Sequence, residues 1–115
     1  MSKENILSKI SKMSEEELKV LARITSDVEI LNILAVNANC EVRCTVAKNK
    51  NTPVELLAVL AKDDCEDVRN GVAWNENTPV NVLAMLAQDK NVGVRIRAKD
   101  ALQERTVKKE QNIER

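Results

Sequence analysis

The 115-residue sequence predicts an all-α fold built as a short array of stacked helix-turn-helix units, and three observations carry that prediction. The first is a period of 26 residues: Asn51-Thr52-Pro53-Val54 returns as Asn77-Thr78-Pro79-Val80, and Val42-Arg43 returns as Val68-Arg69 and Val94-Arg95. Leu57-Ala58-Val59-Leu60-Ala61-Lys62-Asp63 likewise returns as Leu83-Ala84-Met85-Leu86-Ala87-Gln88-Asp89, with Leu31, Leu34 and Ala35 in the same places one period earlier. A fixed period of this length marks supersecondary units that cannot bury their apolar faces alone and therefore stack. The second is composition: the apolar residues are almost wholly Leu, Val, Ala and Ile, and two Gly and two Pro leave little room for the turns of a sandwich or barrel. The third is a recurring set of helix-start signals.

Ile6, Leu7, Ile10 and Met13 recur at helical spacing and predict an amphipathic first helix over residues 3–12. Ser14-Glu15-Glu16-Glu17 has the form of a capping box, so a second helix starts near residue 15 and buries Leu18, Leu21 and Ala22. Ser26-Asp27-Val28-Glu29 repeats that form. Thr52-Pro53-Val54-Glu55 is the strongest start signal, with threonine as cap, proline where its missing N–H costs nothing, and glutamate completing the box; Thr78-Pro79-Val80-Asn81 is its weaker copy. Helices are thus expected near 27, 53 and 79. Their nearly continuous apolar runs, as in Leu56, Leu57, Val59, Leu60 and Ala61, imply burial on more than one side.

Shorter second helices are expected over about 42–48, 68–74 and from 94 onward, where Val42, Val46 and Ala47 recur as Val68, Val72 and Ala73 on one face. Asn49 and Asn75 follow, and since asparagine tolerates left-handed backbone they are expected to turn the chain into the next Thr-Pro start. Ala101, Leu102 and Gln103 break the third copy, so the last helix runs on toward residue 110, ending in a polar, fraying Lys108-Lys109-Glu110-Gln111-Asn112. One repeat domain, 1–115, results: capping helices over 1–25, repeats over 26–51, 52–77 and 78–100, and a C-terminal cap and tail over 101–115.

Residues 42–63 and 68–89 share the pattern Val-Arg-x-x-Val-Ala-x-Asn-x-Asn-Thr-Pro-x-x-x-Leu-x-x-Leu-Ala-x-Asp, which resembles the bacterial variant leucine-rich repeat, a relative in style of HEAT repeats. The resemblance covers roughly residues 26–100. It implies a right-handed superhelix, an α-solenoid in which each α-helix is followed by a shorter, sometimes 3₁₀, helix, with no β-strands. The 26-residue copies are a little longer than that family's repeat, which leans the second helix toward a full α-helical turn. Members of that family can also carry a cysteine-rich iron–sulfur segment; no cysteine precedes Cys40 here, and no cofactor is expected.

Eighteen basic residues balance eighteen acidic ones, so no global field concentrates DNA or RNA. Nothing in the sequence reads as a signal peptide or a bilayer span, which makes a cytoplasmic protein without membrane contact the default expectation. Cys40, Cys44 and Cys65 are the only thiols and histidine is absent, so free thiols are favoured over a metal site or disulfide framework.

Arg43, Arg69 and Arg95 stack as a column. That column is either a binding strip for carboxylate or phosphate or a structural ladder with acids and carbonyls of neighbouring units, and the six-residue offset of Asp63 and Asp89 favours the ladder. Trp74 shares its column with Lys48 and Asp100 and is expected to be exposed; it is either an interface anchor or a ring packed over Gly71 or a neighbouring loop. Thr45/Gly71/Arg97 and Cys44/Asn70/Ile96 are the remaining outward columns of the second helices, which in such solenoids line the ligand-bearing concave side.

The leading functional expectation is therefore a non-catalytic interaction scaffold that binds a peptide or protein through Trp74, Arg43, Arg69, Arg95, Thr45, Asn70 and Arg97 on the surface of the shorter second helices. A second copy covering one end of so short an array would give a homodimer. Nucleic-acid binding is the alternative, through Arg95, Arg97, Lys99, Arg105, Lys108 and Lys109, although acids share that helix. An enzyme is least favoured, for want of a histidine, a glycine-rich phosphate loop or an activated-serine motif.

Overall fold

The computed structural model of the protein describes residues 3–113, and the side chains of 4–109. Those residues form eight α-helices and no strand: α1 (Lys3–Ser11), α2 (Glu15–Ile24), α3 (Val28–Leu34), α4 (Cys40–Lys48), α5 (Val54–Leu60), α6 (Glu66–Trp74), α7 (Val80–Leu86) and α8 (Val92–Ile113). The all-α class and the helix-turn-helix alternation follow the sequence reading. Side chains beyond residue 109, including much of the polar end expected to fray, lie outside the described residues.

Helices of seven to ten residues are too short to stand alone in water, so burial must hold them. Residues one period apart are buried together. Leu31, Leu57 and Leu83 are fully enclosed, as are Val42 and Val68, while Leu34, Leu60 and Leu86 and then Val46, Val72 and Ala98 form two further buried columns. The contacts run in order along one row, α2 against α4, α4 against α6 and α6 against α8, with α7 also packed on α8. Gly71 sits where α4 and α6 meet; a Cβ there would lie 3.1 Å from the Ala47 Cβ and 3.2 Å from the Cys44 carbonyl oxygen. Its column was expected to face outward, yet glycine is buried here because it lets the two helices approach.

The start signals were partly misread. Ser14 does make the capping box with Glu17. At the next start the cap is Asp27, not Ser26, and its carboxylate accepts the Glu29 and Ile30 N–H groups. Pro53 and Pro79 are themselves the N-caps of α5 and α7, with extended backbone and no side-chain capping bond. Thr52 and Thr78 turn inward instead, each hydroxyl donating at 2.6 Å to a carbonyl of the preceding helix, Val46 and Val72.

Two further expectations need correction. The second helices are the longer partners: α4 and α6 have nine residues, whereas α3, α5 and α7 have seven. Proline sets a late start for α5 and α7, while α4 and α6 begin two residues earlier than expected, with Glu41, Glu66 and Asp67 favourably placed in their first turns. The runs in α5 and α7 are buried on one side only, because Val59 and Met85 face solvent.

Candidate functional site

The arginine column is a ladder. Arg43 donates through Nε and Nη2 to the Asp63 carboxylate at 2.9 and 3.1 Å, and through Nη1 to the Asn37 carbonyl at 2.7 Å. One unit on, Arg69 grips Asp89 at 2.8 and 3.1 Å and donates to the Asp63 carbonyl at 2.8 Å. Arg95 donates to the Asp89 carbonyl at 2.7 Å. Each paired guanidinium therefore ties its own loop to an aspartate twenty residues ahead, a different pairing from the six-residue offset read in the sequence, where only the aspartate carbonyl takes part.

Burial pushes the Asp63 and Asp89 carboxyls upward, but the facing guanidiniums and the N–H groups of Cys65 and Asn91 outweigh it, and both end below the usual aspartate value. The arginines are raised in turn by their carboxylate partners. With Arg69 6% exposed, its donors are committed within the fold. Arg43 lines a broad concavity with Asp63, Asp64, Val36 and Val59, apart from the cavities that hold Trp74 and Asn70.

A second connection between units escaped sequence reasoning. Asn49 donates its amide to the Ala22 and Thr25 carbonyls at 2.8 and 2.9 Å, and Asn75 donates to the Ala47 and Asn49 carbonyls at the same distances. Both have extended backbone, not the left-handed turn expected of them, and no described non-glycine residue has positive φ. The turn is closed by the side chain: Asn49 Oδ1 accepts the Asn51 N–H and Asn75 Oδ1 the Asn77 N–H. Where the third copy has Ala101, Arg105 reaches back to the Thr78 and Glu76 carbonyls. The sequence signal was the strict 26-residue recurrence of a buried asparagine, which turn chemistry alone did not explain.

Thr45, Asn70, Trp74 and Arg97 are brought onto the row formed by α2, α4, α6 and α8. Thr45 and Asn70, both half-buried, line a cavity of about 310 Å³ with Lys19, Glu41, Lys48 and Asp67. Lys19 bridges Glu16 and Glu41 there at 2.7 and 2.8 Å. Trp74 lines a neighbouring cavity of about 370 Å³ with Arg97, Glu76, Glu104, Arg105 and Lys108.

Trp74 is 57% exposed. The Arg97 guanidinium lies 4.2 Å from its ring centroid and donates to Glu104 at 2.9 Å, which fixes the indole at the cavity wall. Arg97 Nε is buried without a hydrogen-bond acceptor, and the ring face is the compensation the geometry supplies. Glu104, Arg105, Lys19 and Glu41 were not among the expected scaffold-site residues. Lys19 and Arg105 lie outside the repeated segments, so no periodic signal marked them.

Cys40, Cys44 and Cys65 are free and half-buried. Cys44 donates to the Asp67 carbonyl at 3.3 Å. Among the described residues, no group of three or more His, Cys, Asp or Glu side chains is placed to hold a metal ion. No described helix is long and apolar enough to cross a membrane.

No family model, no curated protein and no solved structure matches this chain.

Proposed function

We propose that the protein is a non-catalytic protein–protein interaction scaffold, a short right-handed α-solenoid of the variant leucine-rich or HEAT-like kind. On this proposal it docks a peptide or protein along the face of α4, α6 and the first half of α8, in the cytoplasm. The solenoid reading is supported by the ordered row α2, α4, α6, α8, by matched burial one period apart, and by elongation. The radius of gyration is 15.4 Å, against about 13 Å for a compact domain of this length.

The observation that carries the docking reading is Trp74: a largely exposed indole, held by Arg97 at the wall of a cavity whose remaining lining is mixed in charge. Aromatic and arginine side chains dominate interface energetics, and an indole covers much surface with little rotamer entropy to lose. Mixed charge suits a peptide or protein better than a polyanion. The nucleic-acid alternative loses support from the same geometry, since Arg95 and Arg105 donate to backbone carbonyls and Arg97 is engaged by Glu104.

Affinity capture from a lysate of the source organism tests the proposal, with wild type compared against Trp74→Ala. A protein retained by wild type and lost from the variant is the expected result. Identical capture by both, or retention of nucleic acid that weakens steeply with salt, would remove the peptide-docking reading.

A further inference from the structure

We infer that copies of this chain associate head to tail, the outer face of α2 in one copy seating on the outer face of α8 in another, so that the row α2, α4, α6, α8 runs on into a second molecule. The inference rests on the solenoid reading, because the second copy continues the row, and is independent of what docks at Trp74.

The side that each helix of the row turns toward its successor is fixed by contacts between α4 and α6. Cys44 donates to the Asp67 carbonyl at 3.3 Å, and a Cβ on Gly71 would lie 3.1 Å from the Ala47 Cβ. In α8 the place of Cys44 and Asn70 is taken by Ile96, and that of Ala47 and Ala73 by Lys99. Cys44 and Asn70 are half-buried and both alanines are buried. Ile96 is 56% exposed and Lys99 is exposed, because α8 is the outer helix of the row. Val92, one turn before Ile96, is exposed where α4 has the half-buried Cys40.

The other end of the row is open in the same way. α2 meets α4 through Lys19, which donates to Glu41 at 2.8 Å, and through the Ala22 carbonyl, which accepts the Asn49 amide at 2.8 Å. At about 100° per residue, Glu17, Val20 and Ile24 lie roughly 100–160° around the helix from Lys19, on the side turned away from α4. With Met13, Glu16 and Leu21 they line an apolar hollow of about 420 Å³. Val20 is exposed and Ile24 is 62% exposed. Terminal units of a repeat array ordinarily carry a polar outer face to stay soluble, whereas both outer helices here present an apolar pair one turn apart.

Charge and helix direction select the occupant. Neighbours in the row run the same way: Asn91 donates to Glu66 at 2.8 Å where α8 and α6 begin, and Asn75 donates to the Ala47 carbonyl at 2.8 Å where α6 and α4 end. An α2 laid on α8 in this sense sets Val20 and Ile24 over Val92 and Ile96. Its acidic first turn, Glu15, Glu16 and Glu17, then lies beside residues 90–99, which carry Lys90, Arg95, Arg97 and Lys99 and no acid. Opposite charges fix the partner and the register of such a contact. A second α8 in that place would set the basic stretch against itself. Because the two faces differ, the contact is heterologous, and copies add one after another where a two-fold dimer would close.

Sedimentation velocity of the full chain over a wide range of concentration tests this, since one helix pair per contact is small beside a standard interface and associates weakly. The average mass should rise with concentration past that of two chains and fall with added salt. Val20→Glu with Ile24→Glu spoils one end, and Val92→Glu with Ile96→Glu the other; all four positions are exposed, so both variants should keep wild-type helix content. Each variant alone should stay monomeric, and an equal mixture of the two should form one-to-one dimers and nothing larger, because each supplies the end that the other lacks. Trp74→Ala should associate as wild type does, which separates this contact from the docking face. A wild type that stays monomeric or stops at two chains, a variant that pairs with itself, a mixture without dimers, or loss of association in Trp74→Ala would each overturn the inference.

Discussion

Arg69 joins three segments with one side chain: its own helix α6, the loop at Asp63 and the loop at Asp89. Its pair with Asp89 is buried, with side chains 7% and 9% exposed, so removing one partner strands the other charge away from water. Arg69→Ala should therefore cost about 3–5 kcal/mol in chemical denaturation, since breaking a buried pair by truncation is far costlier than losing a surface contact. Arg95→Ala, which sacrifices a bond to a carbonyl but no carboxylate partner, should cost clearly less. Equal losses would show that the carboxylates are not the source of the effect.

The same pairs set an acid limit. Asp63 and Asp89 have folded pKa values below the ordinary 3.8, so their stabilising contribution is complete above that value and is lost as pH falls through the lowered folded values. Denaturation midpoints followed downward from pH 5 should fall through this window, and Asp89→Asn should fall less steeply. The column of arginines was legible in the sequence because Val-Arg recurs three times. Asp63 and Asp89 were legible as its acids, but which arginine each one meets was not, because a carboxylate twenty residues ahead is chosen by how the helices pack, and no local pattern encodes that.

At the scale of the element, the loops do more than connect. The Asn75 amide donates to two buried carbonyls of the preceding unit, and the residue is only 5% exposed. Asn75→Ala should cost about 1–3 kcal/mol for each carbonyl left unpaired, read from urea unfolding. Unchanged stability would mean that water replaces the amide. Gly71→Ala tests the helix contact: alanine favours helix by about 1 kcal/mol, but its Cβ would crowd the Ala47 Cβ and the Cys44 carbonyl. Both belong to the framework of α4 and cannot swing aside, so overpacking of about 1–3 kcal/mol should dominate and the variant should melt lower.

Helix positions were legible, since apolar spacing and the two Thr-Pro steps fix them to within a few residues. Cap identities and relative lengths were not. Threonine before proline looks like a cap in one dimension, but the Val46 or Val72 carbonyl near the end of α4 or α6 is the nearer acceptor in three.

For the whole molecule, repetition made the succession of helices readable and left the purpose nearly blank. The row α2, α4, α6, α8 presents Thr45, Asn70, Trp74 and Arg97, yet two of its contributors, α2 and the far half of α8, depart from the repeat. Side chains such as Lys19 and Arg105 complete the cavities without any periodic mark. Docking at this face predicts that partner binding alters the emission of Trp74, the only tryptophan. An unchanged spectrum at saturation would place the partner elsewhere.

In-register stacking is most directly tested by distances between spin labels at Glu29, Glu55 and Asn81, exposed equivalents one period apart on α3, α5 and α7, with the three cysteines replaced by serine. A regular array predicts similar 29–55 and 55–81 distances and a 29–81 distance close to their sum. A 29–81 distance no longer than either single step would contradict the stack and, with it, the continuous docking face.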